Sequence, residues 1–387
     1  MDKPQRYAFS RIDWPVTSFL VLTPLVGIAG TWFLAANDAI LWSTVIWAVV
    51  MLYLSGMSIT AGYHRLSAHR AYNAHWLVRL MYALFGAAAF QGSILQWASD
   101  HREHHSHVDE EGDPYSIKDG FWHAHVLWLI FERDLDPTFK NCPDLKKDKI
   151  IMWQHNNYLL VAGFMCFIFP ALIAGLWGDM LGGFIIAGVL RVFINHHFTF
   201  FINSLCHTIG RQTYSDRHSA RDHWFTALFT YGEGYHNFHH EFAADYRNGI
   251  RFFHFDPTKW LIKGLSFFGL AWDLRKINPQ LILERKLEMD RKRYVKSLVR
   301  PGLAASLVQD GEAALAAAMS RVAAAGERFH ELTKRYHEIK DKRIESLKEQ
   351  VVELKSRMNE ARAEFENELK VWTEMPRKLQ VLTNFKQ

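Results

Sequence analysis

Four histidine clusters hold the residues with which this chain could do chemistry. They are His64-Arg-Leu-Ser-Ala-His69, His101-Arg-Glu-His104-His105, Asn203-Ser-Leu-Cys-His207 and His236-Asn-Phe-His239-His240. With 21 histidines in 387 residues, chance supplies roughly 0.06 copies of an H-x-x-H-H pattern along the chain. Two copies occur, so coincidence accounts poorly for them. Neutral imidazoles suit zinc, copper, iron or nickel. Nine imidazoles and one amide are too many for a single ion, and zinc needs only three or four ligands per ion. Two six-coordinate irons with positions left open for O2 account for the number. Isolated histidines are more often solvated or core residues, and His75, His107, His123, His125, His155, His218, His223 and His254 are read so.

The spacings have a geometric reason. Residues three and four apart share one face of a helix, so His101, His104 and His105 can converge, as can His236, His239 and His240. Asn203 and His207, four apart, project together from the end of an apolar stretch. His64 and His69 are five apart, about 140° around a regular helix. Either they reach different metals or the helix bends between them.

The elements that must position these clusters are apolar and long. Two uncharged stretches, 16–36 and 40–63, open the chain, and a second pair lies at 158–177 and 181–206. About 20 apolar residues cross a bilayer's hydrocarbon, so each qualifies as a span. Only Asn37, Asp38 and Ala39 separate the first two, and Gly178, Asp179 and Met180 the second, which predicts two tight helical hairpins. Trp32, Trp42, Trp153 and Trp177 lie where interfacial aromatics are expected. The hairpin tips carry no Lys or Arg, whereas the segment 64–157 carries ten, so both termini and all four clusters are expected on the cytoplasmic side. Residues 80–99 are also uncharged, but a fifth span there would separate His64 from His101. That stretch is expected to be a buried or re-entrant helix. Arg191, His196 and His197 fall inside the fourth span. Arg191 is too deep to be a ligand and is expected to pair with polar groups of neighbouring helices, with closure of a tunnel's far end as the weaker alternative. The two histidines could line a tunnel or stand behind the ligands.

Composition limits the remaining possibilities. Apolar residues make up 49% and aromatic residues 14%, crowded into the first two thirds of the chain. The net charge of +5, without a basic stripe, argues against nucleic acid. Cys142, Cys166 and Cys206 form no metal-type pair and leave one cysteine over in any disulfide scheme. Residues 2–14 are polar and do not look like a signal peptide. The expected organisation is a membrane domain over 1–295, a linker over 296–311 and a long helix over 312–375, closed at Pro376. Ile344, Leu347, Val351, Leu354, Met358, Ala361 and Phe365 alternate by three and four, a heptad seam. Such a stripe must be covered, by the body of the protein or by another copy in a homo-oligomer.

Together the clusters resemble those of the membrane fatty-acyl desaturases, most closely the stearoyl-CoA (Δ9) type. H-x4-H, H-x2-HH, N-x3-H and H-x2-HH occur in that family's order, within HRLSAHR (64–70), WASDHREHH (97–105), NSLCH (203–207) and GEGYHNFHHEF (232–242). The similarity extends over about residues 14–273. It implies an all-α integral membrane fold, with four transmembrane helices in two hairpins under a cytosolic helical cap, and here a C-terminal coiled-coil helix besides. It implies two irons bound by His64, His69, His101, His104, His105, His207, His236, His239 and His240, with Asn203 acting through a water, and O2 as co-substrate. It also implies a kinked tunnel lined by Trp97 and Phe200, the latter standing where a Trp is common.

The implied activity is O2-dependent insertion of a cis double bond, at Δ9, into a long saturated acyl chain within membrane lipid metabolism. Such chemistry removes hydrogen from an unactivated methylene, and an apolar substrate explains a membrane fold. No haem motif occurs in the tail, so electrons are expected from a separate protein. The tail is similar to extensions on bacterial members, which implies a bacterial inner membrane. Two departures bear on the acyl carrier, whether CoA, a carrier protein or an intact phospholipid. Asp109, Glu110, Glu111 and Asp113 make the stretch after the second cluster acidic, and Ser99 stands where animal members carry Arg. A membrane di-iron hydroxylase and a metal transporter are the alternatives. Transporters place their ligands near the bilayer midplane, which these clusters do not match.

Overall fold

The computed structural model describes residues 7–132, 138–298, 305–341 and 348–385. The chain divides into two compact units, Met1–Gln212 with Arg217–Lys276, and Thr213–Asp216 with Ile277–Gln387.

In the first unit, α1 (Trp14–Ala36) starts where Asp13 accepts a hydrogen bond from the Val16 amide at 3.1 Å, with Pro15 in the first turn. Only Thr23, Gly27 and Leu34 of α1 are buried, and most of its apolar side chains, Leu22, Leu25, Ile28, Trp32 and Phe33 among them, are exposed, as a lipid-facing helix requires. The helix α2 (Trp42–Ala68) follows. Next come α3 (Trp76–Ala87) and α4 (Ile94–His107), then α5 (Tyr158–Gly175) and α6 (Met180–His207). The four helices α1, α2, α5 and α6 are long and apolar enough to cross a membrane, as the sequence predicts, and the chain is an integral membrane protein. α1 approaches α6 closely at Gly27, where a Cβ would stand 3.0 Å from the Leu190 Cα.

The stretch 80–99 is neither a span nor one helix. α3 ends at Ala87, Phe90 and Gly92 take positive φ of 55° and 92°, and α4 restarts with Ser93 capping the Gln96 amide at 3.2 Å. A helix end leaves its last carbonyls without partners, and here the fourth span supplies them. Arg191 donates to the carbonyls of Ala88 and Cys166 and to Ala187 in its own helix, and His196 Nε2 lies 3.0 Å from Ala89 O. The intramembrane charge therefore pairs with backbone dipoles. Replacing Arg191 with Leu should cost about 1–3 kcal/mol for each carbonyl left bare, read as a lower unfolding midpoint in detergent.

The membrane unit continues with α7 (His236–Glu241), α8 (Pro257–Phe267) and a two-residue antiparallel ladder, β1 (Asn73–Ala74) with β2 (Ala271–Trp272). All three cysteines are free and buried.

The second unit contains α9 (Pro279–Leu298), α10 (Ala305–Asp341) and α11 (Lys348–Phe385). The sequence predicts a first domain ending at 295 and a linker over 296–311. The compact division comes earlier, at Lys276, because Leu287 and Leu298 of α9 share a core with Leu315, Val322 and Trp372. The middle of the expected linker, 299–304, lies outside the described residues, as do Ile344 and Leu347 of the seam. The single long helix expected over 312–375 is instead two, α10 and α11, and Pro376 sits inside α11 without ending it. The two run antiparallel. Leu354, Met358 and Ala361 of the seam pack with Phe329, Leu332, Tyr336 and Ile339, and Arg321–Glu368 and Arg328–Glu364 pair across the helices at 3.1 and 3.0 Å. The stripe is covered from within the chain, so a second copy is not required to bury it.

Candidate metal centre

Local backbone geometry brings the first cluster together. The last turns of α2, Ser58–Ala68, are a π-helix, and the His69 amide donates to His64 O at 3.1 Å. Closing turns on the fifth residue puts His64 and His69 on one side, so both belong to the same group and the regular-helix expectation of opposed side chains does not apply. The last cluster is carried on the short helix α7, reached through Gly232-Glu233-Gly234. Gly232 has φ of 101°, and a Cβ on Gly234 would stand 2.2 Å from the Ala227 amide nitrogen, so only glycines fit this turn.

The nine histidines gather into two groups, His64, His69, His101, His105 and His239, and His104, His207, His236 and His240. Within each, one ligand atom per residue lies within 4.8 Å of all the others. The nitrogens that meet are Nε2 throughout. In the first group the separations are 3.0 Å for His64–His239, 2.8 Å for His69–His101 and 3.0 Å for His105–His239. In the second they are 3.1 Å for His207–His236, 3.1 Å for His236–His240 and 3.4 Å for His104–His240. Ligands at right angles on an ion with bonds of about 2.1 Å stand about 3.0 Å apart, so these spacings fit two metal ions with several imidazoles each.

Proton accounting supports the same reading. His64 Nδ1 lies 3.1 Å from Glu233 and His104 Nδ1 lies 2.7 Å from Asp113. An ionised carboxylate only accepts, so both Nδ1 atoms carry the hydrogen and both Nε2 atoms present a lone pair. Ser219 gives its hydroxyl proton to Asp109 at 2.7 Å, so His207 Nδ1, 2.7 Å away, must donate to it. His64, His104 and His207 therefore each turn an acceptor nitrogen toward a neighbouring imidazole. Fixing the tautomer through the outer nitrogen is the usual support of a metal-bound histidine.

Sequence reasoning missed this outer layer. Arg65 donates to both Glu233 and Asp256 at 2.9–3.2 Å and to Tyr246 O at 2.8 Å, with all three side chains buried. Burial alone would raise the Glu233 carboxyl, but Arg65 and His64 hold it at about 2. The available signals were adjacency, since Arg65 follows His64 and Glu233 precedes His236 by three. The acidic stretch also reads differently in three dimensions. Asp109 and Asp113 are buried and turned inward to Ser219 and His104, and only Glu110 and Glu111 are exposed. Half of the apparent surface acidity is therefore support for imidazoles.

Burial, reinforced by neighbouring imidazoles, pushes His69, His101, His105, His236, His239 and His240 well below the ordinary value of 6.5. Below pH 6.5 the unfolded chain binds protons there that the folded chain refuses. Stability present above 6.5 should thus be lost as pH falls toward the depressed values. Melting of chelator-treated protein at pH 7.5 and 5.5 should give the lower midpoint at 5.5.

One face of the two groups opens onto a cavity of about 390 Å³, where His64, His101, His104 and His236 form part of the wall with Phe19, Phe90, Tyr158 and Leu159. Trp97, Phe200 and Asn203 also line it. Trp97 stacks on His101 with centroids 4.9 Å apart. Phe200 is buried beside His196 at 5.5 Å. His196 lines the cavity, whereas His197 Nδ1 faces His125 Nε2 at 3.1 Å. His155, read as an ordinary histidine, binds Ser93 Oγ at 2.7 Å.

The fold and site define a helical integral membrane protein with two histidine-lined, metal-competent groups beside an apolar cavity. The chain belongs to the fatty acid desaturase family, whose profile matches residues 40–270. It is similar to a probable acyl-CoA desaturase of Schizosaccharomyces pombe, 43% identical over 289 residues, covering 73% of this chain and 60% of the relative. Acyl-CoA desaturase 1 of Saccharomyces cerevisiae is 42% identical over 291 residues, 74% of this chain and 56% of the relative. The Delta(9)-fatty-acid desaturase fat-5 of Caenorhabditis elegans is 36% identical over 251 residues, 63% and 75% respectively. The chain spans about three fifths of the length of the two yeast relatives.

Proposed function

We propose that the chain is an O2-dependent desaturase that places a cis double bond, at Δ9, in a long saturated acyl chain. The observation that carries this reading is the pair of imidazole groups opening onto one apolar cavity. In this reading His64, His69, His101, His105 and His239 hold one iron, and His104, His207, His236 and His240 hold the other, with Asn203 acting through a water. The irons supply the O2-derived oxidising power that an unactivated C–H bond requires. The chain's own residues do the rest. Glu233, Asp113 and Ser219 keep the outer nitrogens protonated and the inner lone pairs aimed. Trp97 and Phe200 hold the acyl chain against the groups, and the apolar wall excludes water.

Electron balance requires a partner. Reducing O2 to two waters takes four electrons; two come from the C–H bonds and two must come from a separate electron-transfer protein. The relatives' names favour a CoA thioester as the acyl carrier, and the inward turn of Asp109 and Asp113 removes part of the electrostatic objection to it. The ten Lys/Arg between the two hairpins favour a cytoplasmic site, and the membrane domain and helical tail are proposed as separate folding regions. Gas chromatography of membrane fatty acids, with and without the expressed chain, tests the function. A new monounsaturated chain is expected. Hydroxylated chains without alkene would assign the hydroxylase chemistry instead, and metal uptake without lipid change would assign transport.

A further inference from the structure

His218 belongs to none of the four clusters and falls among the histidines read as ordinary. It is only 8% exposed, yet neither Nδ1 nor Nε2 has a hydrogen-bond partner among the described residues. Gln212 reaches its backbone carbonyl alone, at 2.6 Å. Buried imidazoles without any partner are uncommon, and each such group calls for an explanation. The ring packs against His240 with centroids 5.1 Å apart. Its neighbour Ser219 is tied at once to Asp109 and to His207 Nδ1, each at 2.7 Å, so the backbone at 218–219 is held beside the second group by the contact that orients one of its members. That group has four imidazoles against five in the first. His218 is not among the four that converge within 4.8 Å, and it is absent from the cavity wall to which Asn203, His104 and His236 contribute.

We propose that His218 supports the second metal site from outside the cavity, one ring nitrogen accepting a hydrogen bond from a water ligand of that site. It is a positioning residue, acting through the water, and its role rests on the metal-centre reading above. Partners one step removed from a metal typically change affinity 10–100-fold when lost.

The test uses the full chain, loaded with iron in detergent. Iron per chain, the kinetics of iron loss to a chelator and the Mössbauer spectrum are measured for the unaltered protein and for His218→Leu, His218→Gln and His223→Ala. Two irons per chain are expected in the unaltered protein. His218→Leu, which fills the space without a hydrogen-bonding atom, should weaken retention of one iron by about 10–100-fold and shift one of two spectral components. His218→Gln should recover most of the loss, and His223→Ala should match the unaltered protein. The metal-free forms should melt alike, and His218→Ala replaces the leucine variant if that one does not. Unaltered retention and spectrum in His218→Leu would overturn the proposal, as would equal impairment in His218→Gln. An unaltered chain that holds no iron would overturn the metal-centre reading and this proposal together.

Discussion

His239→Ala should remove iron and abolish desaturation. Its Nε2 lies 3.0 Å from His64 Nε2 and 3.0 Å from His105 Nε2, and the residue is 1% exposed. No other imidazole of the first group shows two such contacts, so truncation withdraws the imidazole around which that group closes. The loss should exceed the roughly 10–100-fold typical of residues one step from a metal. An iron-to-protein ratio near one in place of two, with turnover at background, is the expected outcome. His155→Ala provides the comparison: its Nδ1 is on Ser93 Oγ, and that variant should keep both iron and activity. Full activity in His239→Ala would sink the ligand assignment.

Arg65→Ala should be the most destabilising single change in the membrane unit. The guanidinium is 1% exposed and lies between Glu233 and Asp256, themselves 1% and 0% exposed. Without it two carboxylates stay buried and uncompensated, a loss of about 3–5 kcal/mol. Asp256 would retain the Asn248 and Gly249 amides and its cap on Lys259 in α8, but amides do not neutralise a charge. Glu233 would lose the cation that keeps it ionised against His64 Nδ1, so iron binding should weaken alongside stability. Arg65→Lys should restore only part of both, since an ammonium cannot reproduce the two-pronged contact. Melting of the purified protein checks this, and a midpoint equal to that of the unaltered chain would remove Arg65 from the account.

Much of this protein was legible from local pattern alone. Span length and apolar composition placed four helices, because hydrocarbon thickness is a one-dimensional constraint. The repeated H-x2-HH spacing put six imidazoles on two helix faces, because helical periodicity decides which residues share a face. Both kinds of information lie within a few residues of chain.

The tertiary structure decided what depends on contacts between distant segments. His64 and His69 share a group because α2 widens into a π-helix at its end, a departure from the regular period that spacing cannot reveal. Asp109 and Asp113 look like surface acidity in the sequence and become supports for His207 and His104 only once the cap folds inward. Arg191 is an isolated charge until the broken end of α3 brings it the Ala88 carbonyl and α5 brings it that of Cys166. The seam at Leu354, Met358 and Ala361 announced that it would be covered, and the folded chain supplied α10 as the cover. Residue type and period determined which groups could do chemistry. Only packing determined that His64, His104 and His207 turn Nε2 inward, because the hydrogen bond that fixes each comes from elsewhere in the chain.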